Sequence, residues 1–258
     1  MNRNHIIAFI FFSLFIGFSY SNTLDSSWHL DDAPNILDNL YLHIDDLSLK
    51  SLFNALYSNP NNPYELNKRM YRPVACITLA LNWYYGKDNV FGYHLVNIAI
   101  HLLASFFLYL FLLNLFKAPN LKNNFGEFAI SDYQQLFIAF FASLLWAVHP
   151  IQTQAVTYII QRMASLSAMF YILGMLAYVK GRLTSETLNR WAWTLFCGVA
   201  FILSVNAKEN GYMLSVSLIV IEGFFFSNLF DYKKFKKLIF SIFLSGTMIL
   251  LIGLWLLP

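Results

Sequence analysis

Two adjacent carboxylates follow the first hydrophobic segment of the chain. Asp31 and Asp32 lie in the stretch Trp-His-Leu-Asp-Asp-Ala-Pro-Asn at residues 28–35. Neighbouring carboxylates repel each other, so holding both ionised near a membrane surface requires a cation or hydrogen-bond donors. One interpretation is therefore a site that uses a carboxylate for chemistry. The other is a helix start, with one aspartate as N-cap and Pro34 in the first turn.

The elements that must position these residues are membrane spans. The 258 residues are 58% hydrophobic and only 12% charged, whereas about a quarter of the residues of a soluble domain are charged. The sequence predicts an all-α, multi-pass integral membrane protein. Apolar stretches of sufficient or nearly sufficient length predict a polytopic helix bundle of about seven spans, at residues 6–18 (extending to about Tyr20), 92–116, 136–148, 163–179, 191–206, 212–230 and 238–257.

Lysine and arginine residues between the spans indicate the orientation. With the N-terminus inside, most basic residues fall in inner segments, and the short outer connections hold only Arg162 and Lys208. This is a positive-inside distribution. Polar residues from separate parts of the chain then share the outer face, near which His94 also lies, so we expect a periplasmic or lumenal site built from Asp31, Asp32, Arg72, His94, His149, Arg162, Lys208 and Glu209.

Residues 149–162 do not fit the start of a straight span. At 1.5 Å per residue, such a span would bury Arg162 about 18 Å deep, which would cost a few kcal/mol at least, roughly. We expect instead an interfacial or re-entrant helix over residues 150–161, with the span beginning near Met163 and Arg162 at the outer surface. Structural alternatives are a helix break at Pro150, a snorkelling anchor at Arg162 and a surface ion pair between Lys208 and Glu209.

The spans divide the chain into three parts. Residues 1–21 form a first transmembrane helix or signal anchor, which we favour over a cleaved signal peptide. Residues 22–91 form an outer loop with interfacial helices, one of them at residues 73–85. Residues 92–258 form the transmembrane bundle, in which His94, Asn97 and His101 are predicted to bond neighbouring helices and Glu222 to make a structural hydrogen bond. The chain stops just after a hydrophobic stretch, so we expect a fragment of a longer protein.

Five blocks of this sequence resemble one family, the polytopic O-mannosyltransferase-like proteins of the GT-C fold that carry C-terminal tetratricopeptide repeats. The resemblance covers residues 31–211. The chain departs from the family pattern at Gln154, where an acidic residue is usual, and it shows no 34-residue repeat period. The matching blocks are Asp-Asp-Ala-Pro-Asn-Ile from Asp31, Tyr-Arg-Pro from Tyr71 leading to Leu-Asn-Trp-Tyr at 81–84, Gly92 to Leu103, Trp146 to Val156, and Lys-Glu-Asn-Gly from Lys208.

The resemblance implies a lipid-phosphate-sugar-dependent glycosyltransferase. Its donor would be a polyprenyl-phosphate sugar carrying a mannose-like hexose, and its acceptor a hydroxyl of a protein or glycan on the outer side. Asp31 or Asp32 would be the general base, and base catalysis contributes about 10²–10⁴-fold. The set expected to bind the lipid phosphate comprises Arg72, His149, Arg162 and Lys208, because a phosphate leaving group needs fixed positive charge. His94 would lie near the substrate, and Glu209 would orient Lys208 or contact the sugar.

Two other classes of function remain open from sequence. A non-catalytic membrane anchor of a repeat-containing assembly protein would need no outer carboxylate, and a lipid or solute transporter would need polar groups near the bilayer midplane. We expect membrane lipids as partners and no nucleic acid, since the one basic run, residues 233–237, abuts a hydrophobic segment. No cofactor is assigned, although His29, Asp31 and Asp32 are of types that bind divalent metals.

Overall fold

The computed structural model describes residues 3–58, 70–121 and 130–227. Within these ranges the chain consists of helices and turns, without β-strands. The α-helices are α1 (Arg3–Tyr20), α2 (Leu49–Leu56), α3 (Pro73–Gly86), α4 (Val90–Leu115), α5 (Asp132–Val148), α6 (Thr153–Thr157), α7 (Arg162–Leu183), α8 (Thr187–Ala207) and α9 (Met213–Ile221). Single turns of 3-10 or π geometry lie at Ser21–Thr23, Ala33–Leu37, Leu40–Leu42, Pro150–Gln152, Glu209–Tyr212 and Glu222–Phe226.

Four of the described helices are long and apolar enough to cross a membrane, namely α1, α4, α7 and α8. A fifth span is formed if α5 and the segment Pro150–Thr157, which meet at a bend of 51°, count as one. The all-α class is thus confirmed for the described residues, and these apolar helices indicate an integral membrane protein. The count of seven stays a prediction, because α9 has nine residues and both the predicted span at residues 238–257 and the basic run at residues 233–237 lie outside the described residues.

Local sequence signals explain where several helices begin. The side chain of Asn89 accepts a hydrogen bond from the Phe91 amide at the start of α4, and Ser131 with Gln134 forms a capping box at the start of α5. Proline at the first position of α3 fits because that position needs no donor. The helix predicted at residues 73–85 is confirmed as α3, and the span predicted near Met163 begins one residue earlier.

Helix α7 is the centre of the bundle. It makes its most extensive contacts with α8 and α4, and it also contacts α3, α6 and α9. Helix α1 packs on α4 and α5, where Phe12 and Tyr109 are fully buried. Large apolar side chains point away from the bundle, as in Phe18 at 85% exposure. A lipid environment accounts for such exposed side chains in a span.

Pairs of contacting residues fix the direction of each helix. Ser167 of α7 bonds Ser204 of α8, so α8 ends where α7 begins. Arg162 at the start of α7 bonds Asn97 near the start of α4. We call this end of the bundle, where α4 and α7 begin, the upper end. Helix α8 therefore runs towards this end. Helices α1 and α5 do so too, because Tyr20 at the end of α1 bonds the Ala147 carbonyl near the end of α5, which also accepts a hydrogen bond from His101 of α4.

The break after α5 explains a buried polar cluster. Pro150 interrupts the helix after His149, so the Ala147 carbonyl has no partner in its own helix. His101 Nε2 donates to that oxygen at 2.8 Å, and the Tyr20 hydroxyl donates at 3.1 Å. The prediction that His101 bonds a neighbouring helix is confirmed. The cluster also ties α1, α4 and α5 together at one point.

At the lower end, Glu222 is an ion-pair partner rather than an isolated acid. Arg182 donates to both of its carboxylate oxygens at 2.7 and 2.8 Å, and the Tyr178 hydroxyl donates at 2.7 Å. The predicted structural hydrogen bonding of Glu222 is confirmed. These contacts join the end of α7 to the turn that follows α9.

The turn after α8 packs closely against the end of that helix at Gly211, where there is no space for a side chain. A Cβ atom there would lie 2.6 Å from backbone atoms of Ser204 and Val205, and overpacking of this kind costs about 1–3 kcal/mol. We therefore expect Gly211→Ala to lower the melting temperature of the purified protein. Gly198→Ala, in the preceding helix α8 with open space around it, is the control, and equal melting of both variants would contradict the packing argument.

Candidate active site

The two adjacent aspartates have different surroundings. Asp32 is fully buried. One of its carboxylate oxygens accepts a hydrogen bond from the Ile160 amide at 2.8 Å, and the other accepts from the His29 amide at 2.9 Å. Asp32 occupies the N-cap position of the turn Ala33–Leu37, which has Pro34 in its first turn, as the helix-start interpretation predicts, but its side chain makes no capping hydrogen bond. Asp31 is exposed and leaves its carboxylate at the surface.

Asp31 lies in a polar cleft of about 210 Å³ at the upper end. The cleft is assembled from the first loop, the start of α3, the turn before α7 and the end of α8. Three of the predicted site residues meet in it: Asp31, Arg72 and Lys208. The full lining comprises Asp31, Asn35, Tyr71, Arg72, Ile160, Gln161, Met163 and Lys208.

Arg72 is held in the cleft by Glu209. Its Nε and Nη2 atoms donate to the two carboxylate oxygens of Glu209 at 3.2 and 2.9 Å, and its guanidinium lies over the Tyr71 ring. Partial burial alone would raise the pKa of Glu209, but the hydrogen bonds from Arg72 and the charges of Arg72 and Lys208 outweigh it and hold that pKa below its usual range. Glu209 is therefore ionised at neutral pH.

Arg162 does not face the surface, contrary to expectation. Its side chain is fully buried, and the guanidinium donates to Asn97, Asn82 and two backbone carbonyls. No carboxylate within the described ranges is at ion-pair distance from it. The expectation was wrong about the exposure of the side chain, because the sequence did not reveal these protein partners. In this conformation the guanidinium has no face open to a lipid phosphate.

His94 and His149 also lie away from the cleft lining. His94 is fully buried, and its Nε2 atom donates to the Ser26 carbonyl at 3.0 Å, so it fixes the first loop. His149 is exposed, and its Nδ1 atom accepts from the Ile151 amide at 3.2 Å. It caps the short turn after α5, which agrees with the helix-break alternative. Gln154, where the family pattern is acidic, is exposed on α6.

An apolar groove of about 440 Å³ adjoins the cleft. Sequence reasoning missed this groove, although the small residues Ala164, Ser167 and Ala168, spaced by three and one positions within a span, could have indicated it. Lys208 lines both the groove and the polar cleft. The groove lining comprises Leu108, Trp146, Ala164, Ser167, Ala168, Tyr171, Ile172, Met175, Lys208 and Asn210.

A metal site is not formed by the side chains that the structure describes. In residues 3–58, 70–121 and 130–227, no three His, Cys, Asp or Glu side chains converge as ligands. Both carboxylate oxygens of Asp32 already accept amide hydrogen bonds. The stretch His29 to Asp32 therefore offers Asp31 as its one unengaged carboxylate.

Comparison with known proteins identifies relatives over most of the chain. Protein O-mannosyl-transferase Tmtc3 of Drosophila melanogaster is 31% identical over 211 residues, which are 80% of the chain and 23% of the relative. TMTC3 of Homo sapiens is 31% identical over 195 residues, 74% of the chain and 19% of the relative. TMTC2 of Homo sapiens is 26% identical over 240 residues, 91% of the chain and 26% of the relative.

The chain thus spans about a quarter of the length of these relatives. No protein-family model matches the chain, and no solved structure matches it. The chain therefore belongs to the family of proteins named TMTC protein O-mannosyl-transferases.

Proposed function

We propose that the polar cleft is the active site of a GT-C-type glycosyltransferase that moves mannose from a polyprenyl-phosphate donor to a protein hydroxyl. The names of the relatives, protein O-mannosyl-transferases, support mannose as the sugar and a protein as the acceptor. The observation that carries the proposal is the position of Lys208, at the junction of an apolar groove and a polar cleft. A lipid phosphate has the same division between apolar chain and charged head.

The two parts of a polyprenyl-phosphate donor match the apolar groove and the polar cleft. The groove, which runs along α7 and is lined mainly by apolar side chains, suits an isoprenoid chain. The phosphate would lie in the cleft between Lys208 and Arg72, whose positive charges stabilise a leaving phosphate. Arginine suits that role because its planar fork matches phosphate oxygens. Glu209 would keep the guanidinium of Arg72 in place, through the two hydrogen bonds already described.

Asp31 is the better candidate for the general base. Both oxygens of Asp32 are engaged by backbone amides, whereas Asp31 is exposed in the cleft. In the proposed step, the acceptor oxygen bonds to the anomeric carbon of the sugar as the bond from that carbon to the phosphate oxygen breaks. The hydroxyl proton passes to Asp31, and the bonding electron pair leaves with the phosphate. Asp32 would fix the loop that carries Asp31.

The distribution of charge supports an outer location for the cleft. At the lower end, four basic residues lie after α4, at the end of α7 and at the start of α8: Lys117, Lys180, Arg182 and Arg190. Basic residues favour the cytoplasmic side of a membrane. The cleft would then face the periplasm or the lumen, as proposed from sequence.

The first prediction concerns the two aspartates. With the full-length protein in membranes and radiolabelled polyprenyl-phosphate mannose, we expect Asp31→Asn to lower kcat by about 10²- to 10⁴-fold, because the base is lost. The melting temperature of Asp31→Asn is expected to stay near that of the wild type. Asp32→Asn is expected to lower both the melting temperature and the rate, because Asp32 is buried and bonded.

The outcome also discriminates among classes of function. If the wild-type protein transfers no sugar, or if Asp31→Asn transfers at the wild-type rate, the catalytic assignment is wrong. A protein that retains its cellular role with Asp31→Asn would favour the anchoring alternative, and movement of labelled lipid without transfer would favour the transporter.

The second prediction concerns the phosphate. Lys208→Ala is expected to raise the KM for the donor by about 10- to 100-fold, because a hydrogen bond to a charged group contributes more than a neutral one. Lys87→Ala is the matched control, since Lys87 pairs with Asp45 and does not line the cleft. The measurement is initial rate against donor concentration, and an equal change in both variants would count against a phosphate site at Lys208.

The third prediction concerns the groove. Ala168→Phe places a ring in the groove and is expected to raise the KM for a long-chain donor by about tenfold, which corresponds to a loss of about 1.4 kcal/mol of binding free energy. A donor with a short isoprenoid chain is expected to be affected much less. Ala192→Phe, at an exposed position of α8, is the control. Equal sensitivity of the long and short donors to Ala168→Phe would exclude the groove as the lipid site.

A further inference from the structure

We propose that Arg162 and Asn97 form a positioning device, here called the guanidinium clamp, that holds the turn at residues 158–161 against the loop carrying Asp31 and Asp32. The inference rests on the proposed function, because it gives the clamp the task of placing the Asp31 base. Neither residue touches substrate in this proposal. Both act through the backbone of the turn.

The first part of the clamp is the cage around Arg162. Its Nε atom donates to Asn97 Oδ1 at 2.7 Å, and its Nη2 atom donates to the Tyr93 carbonyl at 2.9 Å. Its Nη1 atom donates to the Asn82 side chain at 2.5 Å and to the Thr78 carbonyl at 3.1 Å. One guanidinium therefore joins the start of α7 to both α3 and α4.

The second part is Asn97, which faces the turn with its other polar group. Its Nδ2 atom lies 3.1 to 3.4 Å from three backbone carbonyl oxygens, those of Val156, Tyr158 and Ile159. Arg162 takes the side-chain oxygen of Asn97, which fixes the amide so that its nitrogen points at the turn. The orientation of Asn97 thus depends on Arg162.

The turn at residues 158–161 is in turn bonded to the loop that carries Asp31 and Asp32. Its Ile160 amide donates to Asp32 at 2.8 Å, and the second oxygen of Asp32 accepts from the His29 amide. Ile160 and Asp31 both line the cleft. A displacement of the turn would therefore move Asp32 and, with it, the adjacent Asp31.

The guanidinium of Arg162 suits the positioning role, whereas for packing alone a buried cation would be a costly choice. A buried cation without a carboxylate partner is expensive, and apolar packing often stabilises a core as well or better. The planar guanidinium, however, presents several donors in a fixed geometry. That geometry lets one side chain hold four acceptors from two helices in a single arrangement.

The test separates the clamp from the transfer reaction. Asn97→Asp keeps an acceptor for Arg162 but loses the donor to the turn. In the full-length protein in nanodiscs, we expect the amide exchange of the segment at residues 157–162 to become about tenfold faster. Asn114→Asp is the control, because Asn114 lies in the same helix and, among the described residues, its side chain bonds the Leu110 carbonyl. Unchanged exchange in Asn97→Asp would overturn the clamp.

A second variant covers the case in which Asn97→Asp does not fold. Asn82→Ala removes one half-buried acceptor at the edge of the cage. We expect a smaller increase in exchange of the same segment, by about threefold, because Asn82 bonds Arg162 and acts on the turn only indirectly, through Asn97. Exchange at the wild-type rate in this variant would also overturn the clamp.

The kinetic readout tests the positioning role itself. Asn97→Asp is expected to lower kcat by about tenfold with the donor KM unchanged, and to cause no further loss in an Asp31→Asn background, because coupled residues are not additive. Equal losses in both backgrounds would assign Asn97 to general stability and overturn the positioning role. If the wild type transfers no sugar, the proposed function fails, and the exchange measurement alone decides whether the clamp holds the loop.

Discussion

The buried guanidinium of Arg162 is the interaction on which the upper end of the bundle depends. In an interior of low polarity, a cation is tolerated only when its donors are all satisfied in good geometry. Its carbonyl and amide partners on α3 and α4 must therefore keep their places relative to α7. The turn before α7 and the first loop are then built on that fixed arrangement, through Asn97 and Asp32.

The site combines one constrained carboxylate with one unconstrained carboxylate. Asp32 has both oxygens occupied by amides, so it serves the loop, and Asp31 is left open in the cleft beside Arg72 and Lys208. Two adjacent aspartates thereby have different environments, one exposed in the cleft and one buried, because of their positions in the loop. The same division appears at Glu209, which is held by Arg72 and leaves Lys208 without an ion pair in the described part of the chain.

Sequence patterns predicted the elements better than their contacts. Hydropathy located α1, α4, α5, α7 and α8, because length and apolar content decide whether a segment can span. The energetic argument about Arg162 correctly required a break after His149 and a span start near Met163. It was wrong about the exposure of the Arg162 side chain, since it assumed that water or lipid phosphate would supply the partners. Asn82 and Asn97 supply them instead, and only Asn97 was marked by its helical spacing with His94 and His101. The groove escaped notice because its lining comes from α4, α5, α7 and the segment after α8, which are distant in sequence.

The order of residues in the guanidinium cage has a consequence for how the protein is made. Thr78, Asn82, Tyr93 and Asn97 all precede Arg162 in the chain, so every acceptor is synthesised before the donor emerges. Until α7 is in place, the side-chain oxygens of Asn82 and Asn97 lack the guanidinium that they bond in the folded protein. The upper end is therefore complete only once α7 has joined the bundle. A chain that ended before Arg162 would present these two amide oxygens without their donor.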